Sequence, residues 1–118
     1  MYGLPKDFDF SVFEGRTLEL VCFSENTVNL SFDDHLSITI ESSYSHQVDD
    51  EDPGSTIDIP PETSTLMQLT GDVVELAEAV GKGTLVLHFE GGQVLKCFED
   101  LPNYECYRIT HHGKETIV

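Results

Sequence analysis

A β-hairpin is predicted by residues 28–40, which read VNLSFDDHLSITI. Apolar and polar side chains alternate along Val28–Phe32 and again along Leu36–Ile40, the period-two pattern of a strand with one buried face. The polar tripeptide DDH at 33–35 suits the short turn between them. Thr17–Phe23 precedes the pair as a more continuously apolar strand. The three segments together predict an antiparallel meander.

The same pattern returns in the second half of the chain. Three strands are predicted there, separated by turns that contain glycine: Val73–Val80, Leu85–Phe89 and Gln93–Phe98. The hexapeptide GRTLEL at 15–20 aligns with GDVVEL at 71–76, at an offset of 56 residues. After one extra residue, Thr27, Val28, Leu30 and Phe32 align with positions 84, 85, 87 and 89. The alignment predicts an internal duplication with repeat-like halves at 15–46 and 71–110.

Shorter elements complete the prediction. Tyr104–Thr110 and Glu115–Val118 are expected to be two further strands, joined by a turn at 111–114. Residues 47–61, which combine an acidic run with three prolines, are expected to form a loop, and one short helix is expected from Pro61 to Leu69. The aromatic residues near the N-terminus are expected to form an edge strand on the core: Tyr2, Phe8, Phe10 and Phe13.

The fold class follows from the two meanders. Each would have one apolar and one polar face, and two such units bury their apolar faces against each other. With 118 residues, the chain has the length of a single domain, 1–118. The sequence therefore predicts a mainly β fold with one short helix, arranged as a sandwich or as a partly open barrel.

The charge of the chain is strongly one-sided. Asp and Glu number 22 against 6 Lys and Arg, which gives a formal net charge of −16, and no Lys or Arg occurs between Arg16 and Lys82. This excess argues against direct binding of nucleic acid or of an anionic membrane, whose phosphates would repel the chain.

Other features bear on the compartment. The sequence contains no run of 18 apolar residues and no basic and apolar leader at its start, so neither a membrane-spanning helix nor a signal peptide is expected. Three cysteines without a CxxC spacing are typical of reduced thiols, and the expected location is the cytoplasm.

The most unusual local feature is the run Asp49-Asp50-Glu51-Asp52. It does not fit a calcium loop, because Pro53 and Pro60 would fall at ligand positions. Two interpretations stay open: a solvated loop, or a surface that pairs with the Arg and Lys side chains of a basic groove.

No catalytic or metal site is predicted. The five histidines lack zinc-site spacing and are interpreted as surface residues, and the side chains of the adjacent His111 and His112 need not converge on one ion. Cys22, Cys97 and Cys106 are interpreted as buried structural thiols. Neither a phosphate-binding glycine loop nor a nucleophile with a base occurs, so we expect no enzyme and no cofactor.

Two segments carry a resemblance to a known family. The pattern LxLxFEGGxxL at 85–95 and the run LPNYECYRI at 101–109 resemble a family of small, mostly uncharacterised bacterial proteins, in which Ser usually stands at the position of Cys106. Residues 4–10 and 15–18 also resemble the opening of that family. These motifs are structural and imply no catalytic residue. Proteins of this kind also resemble the immunity proteins of bacterial toxin systems, including contact-dependent growth inhibition.

The resemblance and the charge together lead to a functional hypothesis. We expect an immunity protein that binds a basic toxin domain, a nuclease, and occludes its nucleic-acid-binding surface. The residues expected to make the contact are Asp49, Asp50, Glu51, Asp52, Asp33, Asp34 and Asp58. The alternatives are an acidic DNA mimic or regulatory module that acts on a nucleic-acid-binding protein, and a β module that binds a small ligand or a metal. The oligomeric state stays open, because an edge strand can pair with another chain.

Overall fold

The computed structural model describes residues 4–49, 54, 56–58, 65–81, 83–99 and 106–118. Ten strands occur among these residues: β1 (Leu18–Phe23), β2 (Val28–Phe32), β3 (Leu36–Ile40), β4 (Ser43–Gln47), β5 (Thr56–Asp58), β6 (Val74–Val80), β7 (Thr84–Phe89), β8 (Val94–Cys97), β9 (Tyr107–His111) and β10 (Lys114–Ile117). Two short 3₁₀ helices precede β1 and β6, at Phe10–Val12 and Leu66–Leu69. The mainly β prediction is confirmed.

The strands form two antiparallel sheets of five strands each. Their orders are β1-β2-β3-β9-β10 and β5-β4-β8-β7-β6. Apolar side chains from the two sheets share one buried core, with Leu30 and Ile38 from the first sheet and Leu87 and Leu95 from the second fully buried. In the described part of the chain each sheet ends at two edge strands. The sandwich, one of the two predicted arrangements, is therefore the architecture, and the described strands do not form a closed barrel.

The two sheets exchange strands in an equivalent way. In each half of the chain, the first three strands form a meander in one sheet, and the next two cross to the other sheet. Thus β4 pairs with β8, and β9 pairs with β3. Tyr44 lies opposite Cys97 and Tyr107 lies opposite Ile40, so the two buried tyrosines are counterparts. Each half completes the sheet of the other.

The aligned hexapeptides at 15–20 and 71–76 form the junction of the two halves. Thr17 and Val73 form an antiparallel bridge. The hydrogen bonds around it come in equivalent pairs. Gly15 N donates to Val74 O at 2.8 Å, and Gly71 N donates to Leu18 O at 2.7 Å. Immediately after the bridge, β1 and β6 each carry a β-bulge, between Leu18 and Leu20 and between Val74 and Leu76. The repeat found in the sequence is therefore a structural repeat.

The N-terminal prediction is wrong where it can be examined. Phe10–Val12 form a 3₁₀ helix rather than an edge strand, and the Asp9 side chain caps it by accepting a hydrogen bond from Ser11 N at 3.0 Å. Phe13 is fully buried, with its ring edge-on to that of Phe32. Aromatic packing, rather than strand pairing, attaches this segment to the core. Tyr2 lies outside the described residues.

Three further elements differ from the predictions. The described part of the predicted helix is the 3₁₀ turn Leu66–Leu69, and Pro61 lies outside the described residues. β4 was not predicted, because serines and a histidine occupy buried positions along it and hide the apolar alternation. β5 interrupts the loop predicted at 47–61, where three residues pair with β4.

The junction gives a first prediction. Gly15 and Gly71 have φ values of +79° and +89°, in the left-handed region, although nothing lies within 4 Å of an added Cβ. Replacing either one by Ala should lower the free energy of unfolding by about 1–2 kcal/mol, because an L-residue is strained there. Urea denaturation measures this, with Glu14→Ala as an exposed neighbouring control. An alanine variant as stable as the wild type would contradict the junction geometry.

Candidate functional site

Two turns lie side by side at one end of the first sheet. Leu36, at the start of β3, pairs with His111 at the end of β9, and His112 N donates to His35 O at 3.1 Å. Asp34, His35 and His112 adopt positive φ values of 58°, 54° and 51°. Non-glycine residues rarely adopt this conformation, and Asp and His are among those that tolerate it. The backbone thus fixes the β2–β3 turn against the β9–β10 turn.

Side chains from these turns meet at Asp34. Its Oδ2 lies 3.2 Å from His111 Nε2, and its Oδ1 lies 3.1 Å from His112 Nε2. We call these three residues the Asp34–histidine cluster. The hydrogen bond with His111 is the main reason that the pKa of Asp34 is lowered, and the nearby His112 and Arg16 add to this. The cluster holds Asp34 as a carboxylate.

Arg16 lies beside the cluster. Its Nη1 is 3.5 Å from Asp33 Oδ2 and 3.8 Å from Asp34 Oδ2. The pairs are partly exposed, so each contributes little to stability. Arg16 nevertheless places one positive charge close to both aspartates of the turn.

A pocket of about 620 Å³ opens next to the cluster, between the N-terminal segment and the β9–β10 hairpin. His111, Lys114 and Glu115 line it on one side, and Phe8 and Asp9 on the other. The pKa of Asp9 is lowered, chiefly by its hydrogen bonds with Ser11. The lining of the pocket therefore mixes acids, a lysine and a histidine with apolar side chains.

Asp33 has a structural role. Its Oδ1 accepts a hydrogen bond from Thr17 N at 2.9 Å. In the other half, Asp72 Oδ1 accepts from Val73 N at 2.8 Å. Both bridge residues thus donate their amide N–H groups to carboxylates. Asp33 supports the junction, whatever else it contacts.

The structure places the predicted contact residues in separate locations. Asp33 and Asp34 are adjacent in the β2–β3 turn. Asp49 is exposed and follows β4, whereas Asp58 pairs with Ser43 at the opposite end of that strand. Asp50, Glu51 and Asp52 lie outside the described residues, and so does the side chain of Asp58.

The acidic run begins near a counterpart of the β2–β3 turn. Gln47 pairs with Val94, just after the turn that joins β7 to β8. This turn and the β2–β3 turn flank the junction, since Glu90 N donates to Val73 O at 2.8 Å and Asp33 N to Thr17 O at 3.1 Å. Asp49 therefore follows the end of β4 that lies nearest the junction, whereas Asp58 pairs with the opposite end of β4.

Two edge strands expose apolar side chains. Leu20 in β1 is 57% exposed and Leu76 in β6 is 44% exposed, and an exposed glutamate, Glu19 or Glu75, precedes each. Because both leucines follow a bulge, they are turned away from the core. Each leucine and its neighbouring glutamate thus form a small exposed patch, and the two patches occupy equivalent positions on β1 and β6.

The predictions for histidine need correction. His46 is not a surface residue: it is buried, with Nδ1 2.6 Å from Thr65 Oγ1 and Nε2 2.6 Å from Gln93 Oε1. The side chains of His111 and His112 both contact Asp34. The sequence spacing of two neighbouring histidines gave no signal of this, because the partner comes from a turn 77 residues away.

The thiol predictions are confirmed for two of the three cysteines. Cys97 and Cys106 are buried, but Cys22 is exposed on the edge strand β1. Burial raises the pKa of the Cys97 thiol to about 12. A buried thiol of that pKa is a poor nucleophile near neutral pH.

Thiol accessibility provides the second prediction. In the native protein, iodoacetamide at neutral pH should modify Cys22, and the two buried cysteines should react only after unfolding. Peptide mass mapping reads the sites, and Cys22→Ser is the control that should remove native labelling. Rapid native labelling of Cys97 would contradict its burial.

A third prediction separates the roles of the two turn aspartates. Asp33→Ala removes the acceptor of the Thr17 amide and should cost about 1 kcal/mol of unfolding free energy. Asp33→Asn keeps an oxygen acceptor and should cost less, and Asp34→Asn should change stability little. Urea denaturation compares the three variants. Equal stability of Asp33→Ala and Asp33→Asn would show that the hydrogen bond from Thr17 N to the Asp33 side chain does not contribute to the unfolding free energy.

The comparisons give a family without a function. The model of a family described as "Family of unknown function (DUF6188)" matches residues 11–118. Neither the search of curated proteins nor the search of solved structures found a match. Among the described residues, no helix has the length and apolar character needed to cross a membrane.

Proposed function

We propose that this chain, which belongs to the DUF6188 family of unknown function, is an immunity protein that binds a basic toxin domain and neutralises it. The toxin would be a nuclease, and the mechanism would be occlusion of its nucleic-acid-binding surface, without catalysis. The observation that carries the proposal is the net charge of −16, with no Lys or Arg between Arg16 and Lys82.

The charge supports a basic partner. Nuclease domains hold nucleic acid in cationic grooves, and an acidic protein is attracted to the same groove. Such attraction steers association and raises its rate at low salt. Glu19, Asp49, Glu75 and Glu90 are exposed, so their charges are available at the surface. Excess negative charge keeps a protein soluble but also destabilises a small domain through self-repulsion, which a cationic partner relieves.

The edge strands support binding to one specific protein partner rather than binding to many basic proteins through charge alone. Protein–protein interfaces have an apolar core surrounded by a polar rim. Leu20 and Leu76 are exposed apolar side chains, each beside a glutamate. A nucleic-acid mimic that acts on many targets would not need such anchors. We therefore favour one cognate partner over the broader alternative.

The contact residues proposed are the acidic run Asp49–Asp52 with Asp33 and Asp34. Asp34 and Asp49 are exposed, and both follow strands that end near the junction. Asp58 stays a weaker candidate, because its strand position lies at the other end of β4.

The fourth prediction tests the proposal directly. Calorimetric titration against the C-terminal domain of the product encoded immediately upstream should show one-to-one binding that weakens as salt is raised. Changing Asp49, Asp50 and Asp52 to Asn and Glu51 to Gln should slow association about tenfold at low salt, and less at moderate salt. Rapid-mixing kinetics measures the rate.

The matched control removes four charges elsewhere. Asp7, Glu14, Glu25 and Glu115 are exposed, and the control changes Asp7 to Asn and the three glutamates to Gln together. An equal loss of rate in both variants would mean that only net charge matters and would overturn the role of the acidic run. No binding at either salt would overturn the immunity proposal, and binding to unrelated basic nucleic-acid-binding proteins would favour the mimic.

A further inference from the structure

We propose that Asp34, His111 and His112 bind one divalent transition-metal ion, with zinc as the representative. These are the three members of the Asp34–histidine cluster. Each offers one ligand atom, and the three atoms all lie within 4.8 Å of one another. The inference does not rest on the toxin-binding proposal, because it concerns a different ligand and the two histidines, although Asp34 belongs to both sites.

The spacing of the ligand atoms fits a shared ion. Zinc lies about 2.0–2.2 Å from histidine nitrogen and carboxylate oxygen, so neighbouring ligand atoms on one ion are roughly 3–3.5 Å apart. Asp34 Oδ2 lies 3.2 Å from His111 Nε2 and Asp34 Oδ1 lies 3.1 Å from His112 Nε2, whereas one ligand atom from each of the three residues lies within 4.8 Å of the others. Small rotations of partly exposed side chains would bring all three onto an ion.

The backbone holds the ligands in advance. His111 is fixed by its pairing with Leu36, and His112 by the hydrogen bond of its amide N–H to His35 O. His112 and Gly113 both have positive φ, as the tight turn between β9 and β10 requires. Binding would thus need little ordering of the chain, which favours affinity.

The ligand set selects the class of ion. Two imidazoles and one carboxylate suit Zn²⁺, Co²⁺, Ni²⁺ or Cu²⁺, whereas Ca²⁺ and Mg²⁺ prefer oxygen ligands alone. Three protein ligands leave coordination positions for water. The pocket beside the cluster, which His111 also lines, gives such a position access to solvent.

Arg16 acts against the ion. Its Nη1 lies 3.8 Å from Asp34 Oδ2 and would repel a cation there. It is closer to Asp33 Oδ2, at 3.5 Å, so it retains a partner when Asp34 turns to the ion. Removing this charge should therefore strengthen metal binding, which a merely structural role of the cluster would not predict.

The fifth prediction concerns zinc binding. Isothermal titration of the full chain, without a histidine tag and after chelator treatment, should show one zinc ion per chain. Asp34→Asn, His111→Gln and His112→Gln should each weaken binding at least tenfold, and Arg16→Gln should tighten it severalfold. Circular dichroism verifies that each variant is folded.

His88→Gln is the matched control. His88 Nε2 also contacts a carboxylate, Glu78 Oε2, at 2.7 Å, but among the described residues this pair is not part of a group of three metal-ligating side chains. This variant should bind zinc as the wild type does. In NMR spectra, Co²⁺ should broaden the amide signals of residues 33–36 and 110–113 first.

Several outcomes would overturn the site. They are the absence of zinc binding up to about 1 mM free ion, cluster variants that bind like the wild type, and an equal loss in His88→Gln. Binding of several zinc ions per chain, all displaced by Ca²⁺, would also overturn the site. It would mean that the acidic surface attracts cations in general.

Discussion

The antiparallel bridge between Thr17 and Val73 is the constraint on which the rest of the molecule depends. It joins the residues that immediately precede β1 and β6, the edge strands of different sheets, through paired backbone hydrogen bonds, and each bridge residue also donates its amide N–H to a carboxylate. Because each half also gives two strands to the sheet of the other, neither half can bury its apolar face alone. The halves must fold together, and their relative position is then fixed.

This arrangement brings turns together in equivalent pairs with different chemistry. The β9–β10 turn lies against the β2–β3 turn, and the connection from β4 to β5 starts beside the β7–β8 turn. Tyr44 and Tyr107 occupy equivalent positions in the two halves of the chain. If the same alignment is continued towards the C-terminus, Val48 corresponds to His111 and Asp49 corresponds to His112. One pair of turns therefore carries two histidines against an aspartate, and the other carries the start of the acidic run. The duplicated framework presents two different sites.

The sequence allows most of the fold to be predicted, because strands with one buried face reveal themselves by alternation. Val28–Phe32 and Leu36–Ile40 are found as predicted, and so is the equivalence of the hexapeptides at 15–20 and 71–76. β4 escapes prediction since Ser43, Ser45 and His46 are buried there, and only tertiary contacts satisfy them. The Asp34–histidine cluster escapes it for a related reason: its members meet through the pairing of β3 with β9, which local sequence does not specify.

The two proposed ligands, a basic protein and a metal ion, depend on the negative charge of the chain in different ways. A basic partner would be attracted by the whole acidic surface, so its binding need not depend on the exact position of any one carboxylate. A metal ion at Asp34 instead requires three atoms at bonding distances, and the turns that supply them are held by backbone pairing rather than by charge. The first interaction is long-ranged and weakened by salt, whereas the second is short-ranged and set by geometry. The two kinds of group lie in different places: Asp49, the first residue of the acidic run, follows β4 of the second sheet, whereas His111 is the last residue of β9 in the first sheet.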